Sequence, residues 1–126
     1  MKDLSNILIL TDLDGTFFGA KSRIIQRNMD AIARFKAAGG LFTMATGRMH
    51  LSLEHHIPMV NELVNAPVVV CNGTYMYDFK EAKPLCENFL DTDLAMRAVE
   101  FMFRTLPSVS IRLSVPEGYM TCPPVC

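Results

Sequence analysis

Four consecutive aliphatic residues, Ile7-Leu8-Ile9-Leu10, stop at Thr11-Asp12. An unbroken apolar run of that length predicts a strand covered on both faces, as in a parallel α/β sheet. Behind it Ile25, Met29, Ile32 and Phe35 recur at helical spacing, with Arg27, Asp30, Arg34 and Lys36 turned away and Gly39-Gly40 as the stop. Leu41 to Thr46 reads as a second buried strand running into Thr46-Gly47-Arg48, with Gly47 opening the next helix. Leu53, Ile57, Val60 and Val64 keep helical spacing again, but Pro58 removes a backbone donor and clashes one turn back. That stretch is therefore a kinked helix or two shorter ones. Val68-Val69-Val70-Cys71 is a third strand, capped by Asn72-Gly73. Three such units predict a doubly wound, Rossmann-like parallel sheet, whose ligands bind beyond the carboxyl ends of the strands. All three polar clusters then share one rim.

After Gly73 the pattern changes. Tyr75 to Asp78 and Lys83 to Asn88 read as a hairpin around a charged turn. Asp91 or Thr92 can cap a helix whose Leu94, Ala98, Phe101 and Thr105 share a face, ended by Pro107. Val109, Ile111, Leu113 and Val115 alternate with Ser110, Arg112 and Ser114, a half-solvated strand that Pro116-Glu117-Gly118 turns toward Tyr119 to Cys122. The expected organisation is α/β: residues 1–88 form part of a doubly wound core, and 89–126 begin an α+β subdomain.

The 126 residues are half hydrophobic, with 12 Lys+Arg against 13 Asp+Glu. This is enough apolar content for a core, and the near-neutral balance argues against a nucleic-acid binder. No apolar run reaches the ~18 residues of a membrane helix. Met1 to Asn6 carries an acid and polar residues before only four aliphatics and lacks a signal peptide's apolar centre, so the expected location is cytoplasmic. Cys71 and Cys86 read as small core hydrophobes, and Cys122 and Cys126 as a reduced tail rather than a metal pair.

Asp12-Leu13-Asp14-Gly15-Thr16 carries the most chemistry, because acids at i and i+2 off a buried strand both reach the rim. Two readings apply. A strand-end turn uses aspartates to bond nearby N–H groups and glycine for the positive φ. Alternatively, hard carboxylate oxygens hold Mg²⁺, which needs only one or two acids plus waters and phosphate oxygens. Asp12 then attacks phosphorus, and Asp14 serves as acid for the leaving oxygen and base for water.

Ile9 to Thr16 resembles the first motif of the haloacid-dehalogenase-like hydrolases. Ala45-Thr46-Gly47-Arg48 with Cys71-Asn72-Gly73 resembles the Cof-type, sugar-phosphatase-like branch of that family. The three motifs in order, over residues 4 to about 122, are more specific than any one alone. The resemblance implies a Rossmann-like hydrolase core with the start of a cap. Asp12 is the implied nucleophile, Asp14 the acid/base and Thr46 the phosphate-binding hydroxyl. Mg²⁺ is implied at the Asp12 carboxylate and the Asp14 backbone carbonyl. Independently, the Thr46 hydroxyl and the Gly47 N–H suit equatorial phosphoryl oxygens, where transition-state charge spreads. Arg48 either approaches substrate or is a solvated or helix-pairing arginine. Asn72 and Gly73 either orient substrate or make a plain turn.

His55-His56, about 100° apart on a helix, lack the partners of a zinc helix and read as solvated. His50 lies at the entrance or on the surface. The scattered methionines read as core filler.

Members of this family complete the site with a lysine and further aspartates that follow the cap, and no residue here matches them. The implied function is a Mg²⁺-dependent phosphatase acting on a small phosphorylated metabolite, such as a sugar phosphate, through an aspartyl-phosphate. The chain is expected to be an incomplete N-terminal portion. Nucleic acid and membranes are not expected partners. A mutase shares the first motif. A catalytically silent phosphate-binding or interaction module is the alternative from another class. A phosphoacceptor signalling domain fits the Asp-x-Asp-Gly-Thr order less well.

Overall fold

In the computed structural model, which describes residues 3–19 and 25–123, β1 (Leu8–Thr11) and β2 (Leu41–Met44) pair in parallel, Leu8 opposite Leu41 and Thr11 opposite Met44. The crossover between them is α1 (Gln26–Ala37), which buries Ile32 and packs Met29 and Phe35 against the core. Ile25, expected on that face, precedes the first helical turn and is half exposed. The Pro58 stretch resolves into two short helices, α2 (His50–His56) and α3 (Val60–Leu63).

β3 (Val68–Val70) continues the sheet through one parallel bridge, Ala45 opposite Val69. Below that bridge, side chains satisfy the β2 edge. Asn65 Oδ1 accepts from Phe42 N at 2.7 Å, Asn65 Nδ2 donates to Gly40 O at 3.0 Å, and the buried Thr43 hydroxyl donates to Pro67 O at 2.7 Å. Backbone groups that a three-residue strand cannot reach are thus paired, as burial requires. β4 (Tyr75–Asp78) and β5 (Lys83–Glu87) form the expected hairpin, and β4 also pairs antiparallel with β3. Leu13, Met44, Leu53, Ile57, Val60, Val68 and Val70 form the most deeply buried part of the core. Each such aliphatic side chain contributes about 1.5–3 kcal/mol relative to an exposed one.

β1 departs from expectation. Ile7, Leu8, Ile9 and Leu10 are 42%, 55%, 42% and 52% exposed, so the run is not covered on both faces. Among the described residues β1 has β2 on one edge and no strand on the other. Cys86 is exposed too, because β5 is an outer strand with every residue open to solvent; Cys71 is half-buried.

These elements belong to one unit, Met1–Glu87; the second is Asn88–Cys126. In it Asp91 caps α4 (Thr92–Thr105), its Oδ1 accepting from Leu94 N at 3.0 Å. Val99 is the buried residue of α4, whereas Leu94 and Phe101 of the expected face are more than half exposed. β6 (Ile111–Val115) and β7 (Gly118–Cys122) form an antiparallel hairpin, with the Arg112 guanidinium 4.5 Å from the Tyr119 ring centroid. β6 starts two residues later than the alternation suggests, because Val109 N donates to Leu106 O in a turn. Cys122 lies in β7; the expected Cys126 tail falls outside the described residues. No helix of the described residues is long and apolar enough to cross a membrane.

His50, read as an entrance or surface residue, is buried. Its ring stacks on Tyr77 at 4.3 Å and Tyr75 at 5.4 Å between centroids, and its Nδ1 has no hydrogen-bond partner among the described residues. Burial lowers its pKa below the ordinary imidazole value, against a smaller opposing pull from Glu54. Tyr75 and Tyr77, facing it from β4, are held neutral by pKa values that burial raises. The unfolded chain therefore binds the proton that the folded state resists. Stability present above the imidazole pKa of about 6.5 is lost as pH falls from there toward the lowered folded value. Thermal unfolding of the wild type is expected to show a falling midpoint below about pH 6.5, and His50→Phe is expected to flatten that part of the profile. An equal slope in both proteins would refute the assignment.

Candidate active site

The sequence after β1 alternates core anchors with polar residues. Leu13, Phe17 and Phe18 are buried, while Asp12, Asp14, Gly15 and Thr16 remain exposed. The loop closes when Phe18 N donates to Leu13 O at 3.0 Å, and Gly15 at φ 76° supplies the left-handed residue the reversal needs. Phe17 packs on Phe42 of β2 with ring centroids 5.8 Å apart. The two acids are thus presented from a loop pinned into the core on both sides of Asp14.

A cavity of about 310 Å³ lies where β1, β2 and β3 end, lined by Asp12, Ala45, Thr46, Gly47, Val69, Asn72 and Gly73. Thr46 is buried; its N–H donates to Val69 O at 2.9 Å and its carbonyl accepts from Asn72 N at 3.1 Å. Thr46 Oγ1 accepts from Arg48 N at 3.2 Å, which leaves the hydroxyl hydrogen to donate elsewhere. Across the rim, Cys71 and Asn72 take left-handed φ values of 50° and 55° beside Gly73. Cys71 N donates to Arg48 O, 3.0 Å away.

That last hydrogen bond explains a correction. Gly47 was expected to open a helix, but α2 begins at His50. The Arg48 carbonyl is taken by Cys71 rather than by a helical N–H, so Gly47 and Arg48 remain in a loop. The favourable helix end is therefore not at Gly47. Close approach sets this glycine instead, since a Cβ there would stand 2.9 Å from Asn72 Oδ1.

Asp14 and Arg48 do not line the cavity; they clasp each other beside it. Arg48 Nε donates to Asp14 Oδ2 and Arg48 Nη2 to Asp14 Oδ1, both at 2.7 Å, a bidentate fork. The Arg48 side chain is 23% exposed and that of Asp14 52%. The Arg48 guanidinium also lies 5.8 Å from the Phe18 ring centroid. Its hydrogen bonds hold the Asp14 carboxyl below the usual carboxylate range. Arg48 pairs with Asp14, a partner neither reading of the sequence named. Sequence reasoning missed the pair, although opposite charges flanking the first two polar clusters were its signal.

For a metal, the donor set is small: the described residues gather no group of three or more His, Cys, Asp or Glu. Asp12 and Asp14 alone, with hard oxygens and open solvent, suit a cation that keeps most of its waters, as Mg²⁺ does, rather than a closed zinc site.

The sequence profile of the haloacid dehalogenase-like hydrolases matches residues 9–117. Over 96 residues the chain is 30% identical to the pyridoxal phosphate phosphatase YbhA of Escherichia coli, covering 75% of this chain and 34% of that protein. The fold is similar to that of the HAD-superfamily phosphatase BT1666 of Bacteroides thetaiotaomicron, with TM-score 0.74, 21% identity, and 91% of this chain on 41% of the other. It is likewise similar to the HAD subclass IIB sugar phosphatase BT4131, with TM-score 0.74, 19% identity, and 94% of this chain on 44% of the other. The chain thus spans about a third of the curated relative's length.

Gly47→Ala is expected to push Asn72 out of the rim. Asn72 is exposed and meets the new methyl with the flexible end of its side chain, so the move costs little stability. The measurement is the amide shifts of Cys71 to Gly73; unchanged amides would refute the close approach.

Proposed function

Because the chain belongs to the haloacid dehalogenase-like hydrolase family, we propose that it forms the N-terminal portion of a Mg²⁺-dependent phosphatase acting on a small phosphorylated metabolite. The observation that carries this reading is the cavity shared by the Asp12 carboxylate, Thr46, Gly47 and the Asn72-Gly73 turn at three adjacent strand ends. Residues 1–88 are the partial Rossmann-like core, and 89–126 the start of the cap.

Asp12 is the nucleophile and forms the aspartyl-phosphate. The Thr46 hydroxyl and the Gly47 N–H donate to the equatorial phosphoryl oxygens, stabilising charge that is greatest in the transition state. Asp14, once it has taken a proton from solvent, hands it to the leaving oxygen and later takes one from water. The Asp12 carboxylate and the Asp14 carbonyl would hold Mg²⁺, which would supply positive charge against the phosphoryl oxygens. The Asn72 amide, with Gly73, orients the rest of the substrate. Candidate substrates are phosphomonoesters of sugar or pyridoxal size, cytoplasmic compounds rather than nucleic acids or lipids. The relative of highest stated identity is named for pyridoxal phosphate, and one fold neighbour for sugars.

The alternative from another class is a catalytically silent phosphate-binding module. An aryl phosphate assay with and without Mg²⁺ separates the two. Hydrolysis is expected to require Mg²⁺, and Asp12→Asn is expected to reduce it on the order of 10⁴-fold in a chain extended to the relatives' length. Wild-type turnover by that variant would refute the mechanism, and saturable phosphate binding without any hydrolysis would establish the silent module.

The portion reading also bears on association. An apolar edge strand recruits other chains, so the 126-residue polypeptide is expected to self-associate in light scattering. A monomer with full activity would overturn the proposal that it is incomplete.

A further inference from the structure

We infer that His50 is a positioning residue for the phosphate cavity: its uncharged ring, seated on Tyr75 and Tyr77, braces the two rim loops from behind, and a proton on that ring loosens the brace and weakens oxyanion binding in the cavity. The inference rests on the phosphatase reading and adds to that site a residue outside its wall and a dependence on pH.

Three features carry it. The first is where the stack lies along the two stretches of chain that make the rim. His50 follows Arg48 by two residues, and Tyr75 follows Gly73 by two. Asn72 N donates to Thr46 O at 3.1 Å and Cys71 N to Arg48 O at 3.0 Å, so the loops are already joined in front. The contact of His50 with Tyr75, 5.4 Å between ring centroids, is the next tie along the same two stretches, made where they part into α2 and β4. The second feature is how the ring is seated. His50 is buried and lies nearly parallel to Tyr77, with an interplanar angle of 21° and centroids 4.3 Å apart. Met49 before it is buried too, and its carbonyl accepts from Leu53 N at 3.1 Å. In close packing of this kind the ring does not move without shifting its neighbours, so the seat of His50 bears on the backbone that presents Thr46 and Gly47.

The third feature is chemical. His50 Nδ1 is buried with no hydrogen-bond partner among the described residues. A neutral imidazole tolerates this as a bare acceptor, whereas an imidazolium, with an N–H on each nitrogen, leaves a charged donor unsatisfied. The groups facing the ring do not offset that cost. Tyr75 and Tyr77 of β4 stay neutral, because burial raises their pKa values. Glu54, one turn along α2, favours the proton, but less than burial opposes it. A cation–π return from the tyrosine faces is smaller than the cost of an unpaired buried charge.

The experiment titrates inorganic sulfate, in the presence of Mg²⁺, into the 126-residue chain and into His50→Phe and His50→Ala. Sulfate keeps the same charge throughout, and affinity is read from the folded-state amide shifts of Thr46, Gly47 and Asn72 between about pH 7.5 and 5. His55 and His56 titrate in that range in all three proteins, so a difference between the profiles belongs to His50. The wild type is expected to lose about 5- to 10-fold in sulfate affinity as pH falls below about 6.5. His50→Phe, which keeps a stacking ring that takes no proton, is expected to bind within about 2-fold of the wild type at the upper pH and to lack the acid loss. His50→Ala, which removes the brace, is expected to bind about 5- to 10-fold more weakly already at the upper pH. An equal acid loss in the wild type and His50→Phe overturns the brace and leaves the phosphate cavity standing, and so does wild-type affinity in His50→Ala. If the alanine variant does not fold, the phenylalanine comparison decides alone. No saturable binding of sulfate or of inorganic phosphate at the upper pH by any of the proteins overturns the phosphatase reading and the brace together.

Discussion

Two backbone hydrogen bonds between neighbouring strand ends hold the rest of the site in place: Cys71 N to Arg48 O and Asn72 N to Thr46 O. The second follows the turn at Cys71, whose left-handed φ costs on the order of 1 kcal/mol or more for a non-glycine residue. The neighbouring bridge between Ala45 and Val69 helps to offset that cost. With the loop backbones satisfied by each other, Thr46 and Gly47 keep the turn in which their remaining donors face the cavity. A loop satisfied by water would have no reason to hold that shape.

The site therefore has a cross-linked part and a part at its solvent edge. Thr46, Gly47 and Asn72 sit on strand ends whose backbones are cross-linked, and Asp12 is pinned through Leu13, which has no exposed surface. Asp14 and Arg48 clasp each other beside the cavity, with Asp14 half in solvent. The proposed phosphoryl transfer would profit from the cross-linked part, since charge-stabilising donors act best when they need no reorganisation.

Much of this was legible in the sequence, and what was not has a physical cause. The parallel strands, the break at Pro58, the Tyr75–Asp78 hairpin and the Asp91 cap follow from local periodicity and turn chemistry, which act over a few residues. The helix expected at Gly47 failed because a residue 23 positions downstream takes the Arg48 carbonyl, and no local pattern encodes that. His50 looked like a surface residue because its two aromatic neighbours come from β4. The helix α4 puts Leu94, Ala98 and Phe101 on one face as their spacing predicts, but which apolar residues are covered is not set by spacing: Val99 is buried while Leu94 and Phe101 are more than half exposed. Asp12, Thr46 and Asn72 were found as separate motifs, and their meeting at one cavity followed from the strand-end rule.

β1 poses the remaining question, because the strand that delivers Asp12 is poorly covered. The aliphatic run Ile7 to Leu10 has the composition of a central strand, yet about half of its surface is open. If the position of Asp12 depended on β1 being covered, the cavity would not be formed in these residues. The contacts indicate otherwise. Leu13 and Phe17 enter the core immediately after Asp12, and the Phe17 ring packs at a tilt against Phe42 of the neighbouring strand, so the loop is anchored from β2 inward rather than from the open edge. Cover over β1 therefore acts on solubility and stability, while the placement of the first carboxylate beside Thr46 is already set by the core on the other side.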